Sequence, residues 1–338
     1  YLFLRRIEQY LQQFDDKQTQ TLPQEDIGQM RLSALLETSN YGDATALINQ
    51  QMRLIHDEFN AMIGAEDDDE QDVDSRYELL WEKPSIEVIS SHQLFGQNTE
   101  FFNIVYDFKV SGTKRKLGGR GRDVLDKLMP LLLQQADKCG CEPSILKRVL
   151  AVVEKVISRT AYLELLLENP GALNQLFKLC AHSKWIGDHL ACYPILLDEL
   201  IDPAQLYKTL PLSGYEQEIR QYFLRIDEND LELQMEALRQ FKQTHQLRIA
   251  AADATGVLDV MKVSDHLTAL AEAIVDQAVN IAWYHCVKRF GMPPNTDDEH
   301  KGFAVIAYGK TGGFEVGYDS DLDLVFVHNH DGTSYTSG

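Results

Sequence analysis

The chain has 338 residues, 44% of them hydrophobic, a formal net charge of −20 and five cysteines. That length predicts two or three domains with room for a large core, and the negative charge argues against a nucleic-acid partner, which needs a basic face to neutralise phosphate. No apolar run approaches the length of a membrane helix, no signal peptide is present, and Cys139, Cys141, Cys180, Cys192 and Cys286 lack zinc spacing; we read them as reduced thiols of a cytoplasmic protein.

The chain opens on Tyr1 inside a helical pattern, Leu2, Leu4, Ile7 and Leu11, and both ends read as cuts in a longer sequence. Residues 1–64 are predicted helical, with a start near Glu25 after Pro23 and an apolar stripe at Met52, Ile55, Phe59 and Met62. The acidic run Glu66 to Asp74 marks a solvated linker over 65–75. Helices are predicted throughout 76–300. Within them, Gly118-Gly-Arg-Gly-Arg122 reads as a glycine-containing helix entry whose Arg120 and Arg122 are solvated rather than a phosphate grip. Pro170-Gly171 breaks the pattern, and Asp227, Glu228, Asp230 and Glu232 suit a helix start, where acids favour the dipole. His182, His189, His245, His266 and His285 show no metal-binding spacing. Lys242, Arg248 and Asp253 share a helix and fit either a nucleotide pocket or surface ion pairs. Gly291-Met-Pro-Pro294 ends the helical region, and a polar loop from Asn295 to Lys301 leads out of it.

Chemistry concentrates at the end of the chain. Phe303 to Tyr308 has the length and β-branched content of a buried strand. A glycine-rich turn follows at Gly309, Lys310, Thr311, Gly312 and Gly313, and Asp321-Leu-Asp323 runs into a second strand, Leu324 to Val327. Two aspartates two positions apart on extended backbone leave the same face, an arrangement suited to holding Mg²⁺ together with substrate phosphates. The glycines let backbone N–H groups approach phosphate, Lys310 adds a point charge, and Ser320 lies near. These residues propose metal-assisted chemistry on a nucleoside triphosphate. Ala304 to Thr311 also matches a loosened P-loop, but Val305-Ile-Ala-Tyr308 reads as strand where a phosphate loop belongs, and Gly312 and Gly313 are poor successors for a helix-opening Lys-Thr.

The string from Tyr308 to Leu324, Tyr-Gly-Lys-Thr-Gly-Gly-x-Glu-x-Gly-Tyr-x-Ser-Asp-Leu-Asp-Leu, resembles the signature of the glutamine synthetase adenylyltransferase family, itself within the nucleotidyltransferase superfamily. Tyr162 to Leu166, Tyr193 to Leu200, Gln240 to Lys242, Leu247 to Asp253 and Met261 to Leu267 are similar to the same family; Thr311 departs from its usual Leu. The resemblance implies a mostly α chain of helical bundles followed by the start of an α/β, polymerase-β-like nucleotidyltransferase domain. Residues 1–64 would be the helical tail of an adenylyl-removing half, 76–300 the helical region of the adenylyltransferase half, and 301–338 the opening of the catalytic domain. It implies AMP transfer from ATP to a tyrosine of glutamine synthetase, with Mg²⁺ on Asp321 and Asp323 and the phosphates at Gly309, Lys310, Gly312, Gly313 and Ser320. It also implies removal of AMP by phosphorolysis, and control by glutamine and the PII signalling protein. The superfamily's third carboxylate would follow on a later strand; Asp331 lies too close, in an Asp-Gly turn, so these residues alone are expected to be inactive. A P-loop-like ATPase and a non-catalytic helical docking module are the alternatives.

Overall fold

The computed structural model describes residues 23, 26–36, 38, 40–48, 73–113, 117–329 and 335–336. The expected helix near Tyr1, the stripe from Met52 to Met62, most of the acidic run and Asp331 lie outside these residues. The chain divides into two compact units, 1–70 and 71–338. In the first, α1 (Asp26–Leu35) and helical residues 41–48 bury Leu32 and Ile48 against each other, with Leu35, Leu36 and Tyr41 around them.

The second unit is mostly helical. Helix α2 (Ser75–Glu82) is capped by Asp74, which accepts from the Arg76 amide at 3.0 Å. Two side chains pin it to α5 (Gly119–Lys138): Tyr77 donates to Asp137 and the Trp81 indole to Asp126, both at 2.8 Å. Between them run α3 (Ile86–Ser91) and α4 (Glu100–Thr113). Gly118 is the N-cap of α5, so the glycine-arginine segment is a helix entry, and Arg120 pairs with Glu164 on the surface. Helices α6 (Pro143–Val156), α7 (Thr160–Glu168), α8 (Pro170–His182) and α9 (Lys184–Cys192) follow. Pro170 ends α7 and starts α8 in one stroke, because its ring blocks a preceding helix yet suits a first turn.

After the short α10 (Pro203–Leu206) come α11 (Gly214–Phe223), α12 (Leu231–Ala254) and α13 (Val260–Phe290). Asp230 caps α12 by accepting from the Leu233 amide at 2.9 Å, in line with the expected acidic helix start. Gly291, at φ +78, follows the end of α13. Helices α11, α12 and α13 enclose Tyr215, Ile219, Phe241, Ile249, Val263, Leu267 and Leu270, and the same cluster takes in Val316 from far along the chain.

That chain is a hairpin. Strand β1 (Phe303–Tyr308) pairs antiparallel with β2 (Asp323–His328), with Phe303 opposite His328 and Tyr308 opposite Asp323. Directly opposed residues share a face, so Val305, Ala307 and Leu324 look toward α13 across a cavity of about 390 Å³. Ile306, Tyr308 and Val325 occupy the other face and are exposed. The buried-strand expectation for Phe303 to Tyr308 is therefore corrected: Phe303, Ile306 and Tyr308 are each more than 40% exposed. A short apolar run sets the strand, but burial needs layers on both faces, and α13 lines the cavity on one of them.

Candidate functional site

The site is built at the end of the hairpin where β1 gives way to a single helical turn, α14 (Gly309–Gly312). The expected glycine-rich turn is a helical one. Gly313 N–H returns to Gly309 O at 3.0 Å and Glu315 N–H to Lys310 O at 2.7 Å. The glycines are required for close approach. Gly309 sits at φ +57, and a Cβ there would lie 2.3 Å from Oδ2 of Asp323. A Cβ on Gly312 would lie 2.7 Å from the Ala307 carbonyl oxygen. The turn is thus folded back on the strand it leaves, with Asp323 lying over its first residue. Residues 305–308 are strand, which removes the P-loop alternative's phosphate loop.

Asp323 opens β2, whereas Asp321 lies just before the strand, in irregular backbone. Both carboxylates are exposed, and among the described residues neither has a hydrogen bond or an ion pair. Lys310 is exposed at the second position of α14. Ser320 is engaged locally: its Oγ accepts from the Gly317 amide at 2.9 Å and its own amide donates to Gly317 O at 3.1 Å. Thr311 is buried and, among the described residues, its hydroxyl finds no partner.

No group of three or more His, Cys, Asp or Glu side chains converges among the described residues. The candidate donors are two exposed carboxylates, of which Asp323 lies against the Gly309 backbone where a Cβ would sit. Hard oxygen ligands in that number fit Mg²⁺, which completes its shell with water and substrate phosphate.

The segment between α14 and Asp321 is tied to the helices by Trp185, Gln246 and Asp253, of which the sequence reading names only Asp253, and in another role. The Trp185 indole N–H donates to Asp319 Oδ1 at 2.8 Å, and its ring lies 4.6 Å from that of Tyr318. Tyr318 donates its hydroxyl to Asp253 Oδ2 at 2.9 Å, and Gln246 Nε2 donates to the Tyr318 carbonyl at 3.2 Å. Burial and the neighbouring Asp253 carboxylate push the Tyr318 phenol well above its ordinary value, so it stays a donor. No local pattern signals these contacts, which join positions 65 to 134 residues apart.

Lys242, Arg248 and Asp253 do not act together. Lys242 is exposed and Asp253 serves Tyr318. Arg248 pairs with Glu199 at 2.9 Å in a separate cavity of about 360 Å³ that also receives Glu218 and His245. All five cysteines are free thiols.

Residues 173–338 match the family model described as glutamate-ammonia ligase adenylyltransferase. A relative from Shewanella frigidimarina (strain NCIMB 400) is 48% identical over 342 residues, covering 100% of this chain and 36% of the relative. One from Idiomarina loihiensis is 46% identical over 343 residues with the same two shares. Each is named bifunctional glutamine synthetase adenylyltransferase/adenylyl-removing enzyme. Over residues 173–338 the chain is similar to the glutamate-ammonia ligase adenylyltransferase family, and it spans about a third of the length of the curated relatives it matches. Among the described residues, no helix is long and apolar enough to cross a membrane.

Proposed function

We propose that the protein carrying this chain transfers AMP from ATP to a tyrosine hydroxyl of glutamine synthetase, releasing pyrophosphate, and that Asp321 and Asp323 are the carboxylates of the transfer site. The observation that carries the reading is the pair of unpartnered carboxylates at the mouth of the β1–β2 hairpin, Asp323 lying against Gly309, inside the family's signature string. The hairpin with its helical turn is read as the start of an α/β nucleotidyltransferase domain.

In this reading Asp321 and Asp323 hold Mg²⁺, which when bound supplies positive charge to the triphosphate and to the departing pyrophosphate. Gly309, Gly312 and Gly313 present a backbone without side chains, so the phosphates can approach the turn closely. Lys310 offers its ammonium to the phosphates as a mobile point charge. Ser320 keeps the Gly317–Ser320 turn closed just before Asp321. Catalysis on this plan is positioning and electrostatics rather than covalent participation by the chain. Removal of AMP by phosphorolysis elsewhere in the protein, control by glutamine and PII, and a cytoplasmic setting belong to the same proposal and rest on the family resemblance.

The test uses the full-length protein with ATP labelled at the α-phosphate, Mg²⁺ and glutamine synthetase. Label should reach a synthetase tyrosine with the natural protein and be lost with Asp323→Asn. Label that persists in the variant would remove Asp323 from the site. Release of inorganic phosphate without label transfer would favour ATP hydrolysis.

A further inference from the structure

We infer that Trp185, Gln246 and Asp253 of the helical region are positioning residues for Asp321 and Asp323, acting through Tyr318 and Asp319. The inference rests on the transfer-site reading above and goes beyond it, because none of the three belongs to the signature string or touches the two carboxylates.

Residues 313–322 connect α14 to β2 without regular structure, and they carry Asp321. Asp321 has no hydrogen bond of its own among the described residues, so its place is inherited from its neighbours. Those neighbours are fixed from outside the hairpin. Val316 is 5% exposed inside the α11–α13 core. Tyr318 is held at its hydroxyl by Asp253, at its carbonyl by Gln246 and at its ring by Trp185. Trp185 is itself backed by His189, whose ring stacks on it at 4.4 Å. A flexible connection becomes a platform only when such anchors remove its alternatives.

Trp185 does a second thing. Asp319, Asp321 and Asp323 stand at alternate positions, the first two in the irregular segment before β2. The indole N–H occupies Asp319 Oδ1 at 2.8 Å and keeps that carboxylate turned to the helices. It thereby leaves a two-carboxylate set, which suits a cation that must also accept phosphate oxygens.

The experiment is made in the full-length protein with Trp185→Phe, Tyr318→Phe and Asp323→Asn. Mn²⁺ binding is read by electron paramagnetic resonance in the presence of a non-hydrolysable ATP analogue, and AMP transfer is followed separately. Trp185→Phe keeps the aromatic packing and loses the N–H; Tyr318→Phe keeps the ring and loses one hydroxyl. Each should raise the dissociation constant for Mn²⁺ by about tenfold, the weight of one charge-assisted hydrogen bond. Each should lower kcat while leaving KM for glutamine synthetase unchanged. Trp185→His, which restores a ring N–H, should recover part of the Mn²⁺ affinity. Unchanged Mn²⁺ affinity in both folded Phe variants, with binding abolished by Asp323→Asn, would overturn the positioning role and leave the site reading standing. Mn²⁺ binding and transfer that survive Asp323→Asn would overturn the site reading and this inference with it. Circular dichroism verifies folding, and if Trp185→Phe does not fold, Tyr318→Phe decides alone.

Discussion

The carboxylate of Asp323 occupies the space in which a side chain at residue 309 would begin: Oδ2 lies 2.3 Å from the position of a Cβ on Gly309. The glycine's positive φ and its missing side chain serve the same end, folding the helical turn under the acid. Gly309→Ala forces a left-handed alanine, at about 1–2 kcal/mol, and displaces Asp323. In the full-length protein AMP transfer should fall by roughly 10²-fold, the scale of a 1 Å misplacement. Gly118→Ala is the control, since a Cβ there meets nothing within 4 Å. Equal activity of Gly309→Ala and the natural protein would mean that the contact is irrelevant to the chemistry.

The Arg248–Glu199 pair holds α12 to the segment before α10, and both side chains are only about a fifth exposed, 19% and 21%. Removing one partner strands the other charge in a half-dry cavity. Glu199→Leu should therefore destabilise the second unit by about 3 kcal/mol in urea unfolding, whereas Arg120→Ala, at a surface pair whose arginine is 80% exposed, should cost less than about 1 kcal/mol. The reverse order would contradict the burial assigned to the two pairs.

Stability should depend on pH through His189. Burial lowers its pKa below the ordinary 6.5, a backbone hydrogen bond with Gln243 opposes the shift, and Lys242 and Asp319 are the charges that face it. A depressed histidine prefers the neutral ring in the folded state. Its contribution is complete above about pH 6.5 and is lost as pH falls below that toward the folded value. His266, also lowered first by burial, adds in the same direction. Unfolding free energy should drop between pH 6.5 and 5, and His189→Phe should flatten that slope. Parallel slopes for the two proteins would remove His189 from the account.

Cys139 and Cys141 form an asymmetric thiol pair at the end of α5. A hydrogen bond from Cys141 lowers the Cys139 thiol to about 7, while Cys141 is raised. Cys180 is buried, and burial pushes it up to about 12. Brief treatment with iodoacetamide at pH 7 should label Cys139 well before Cys141 or Cys180, with a rate that rises through about pH 7. Cys141→Ala should shift that midpoint upward by removing the donor. Labelling of Cys180 first, by peptide mass spectrometry, would contradict both assignments.

Local pattern carried a good deal of this molecule. Pro170, Asp230 and Gly291 mark helix ends through fixed φ, a capping carboxylate and a left-handed residue, each readable over a few positions. The two strands, and the Asp-x-Asp whose second acid opens β2, were equally plain, because a short apolar run is a property of neighbours. The glycine turn misled in one respect. Gly309 to Gly312 form a helical turn although glycine disfavours helices; the packing of Gly312 on the Ala307 carbonyl, where no side chain fits, outweighs the propensity. The expected burial of β1 also differed, since a strand's pattern does not say which layers will cover it.

The sequence by itself determined the helical character of the chain, the hairpin near its end, the signature by which it resembles that family, and the residues at which chemistry is to be sought. These follow from periodicity, backbone preference and the spacing of a few acids and glycines, all set within short stretches. Only the tertiary structure decided that Asp323 lies over Gly309, that Arg248 and Asp253 serve different partners, and that Trp185 and Tyr318 bind the site's loop to the helices. Those contacts join residues distant along the chain, and their partners are chosen by how whole helices pack, which no local stretch encodes.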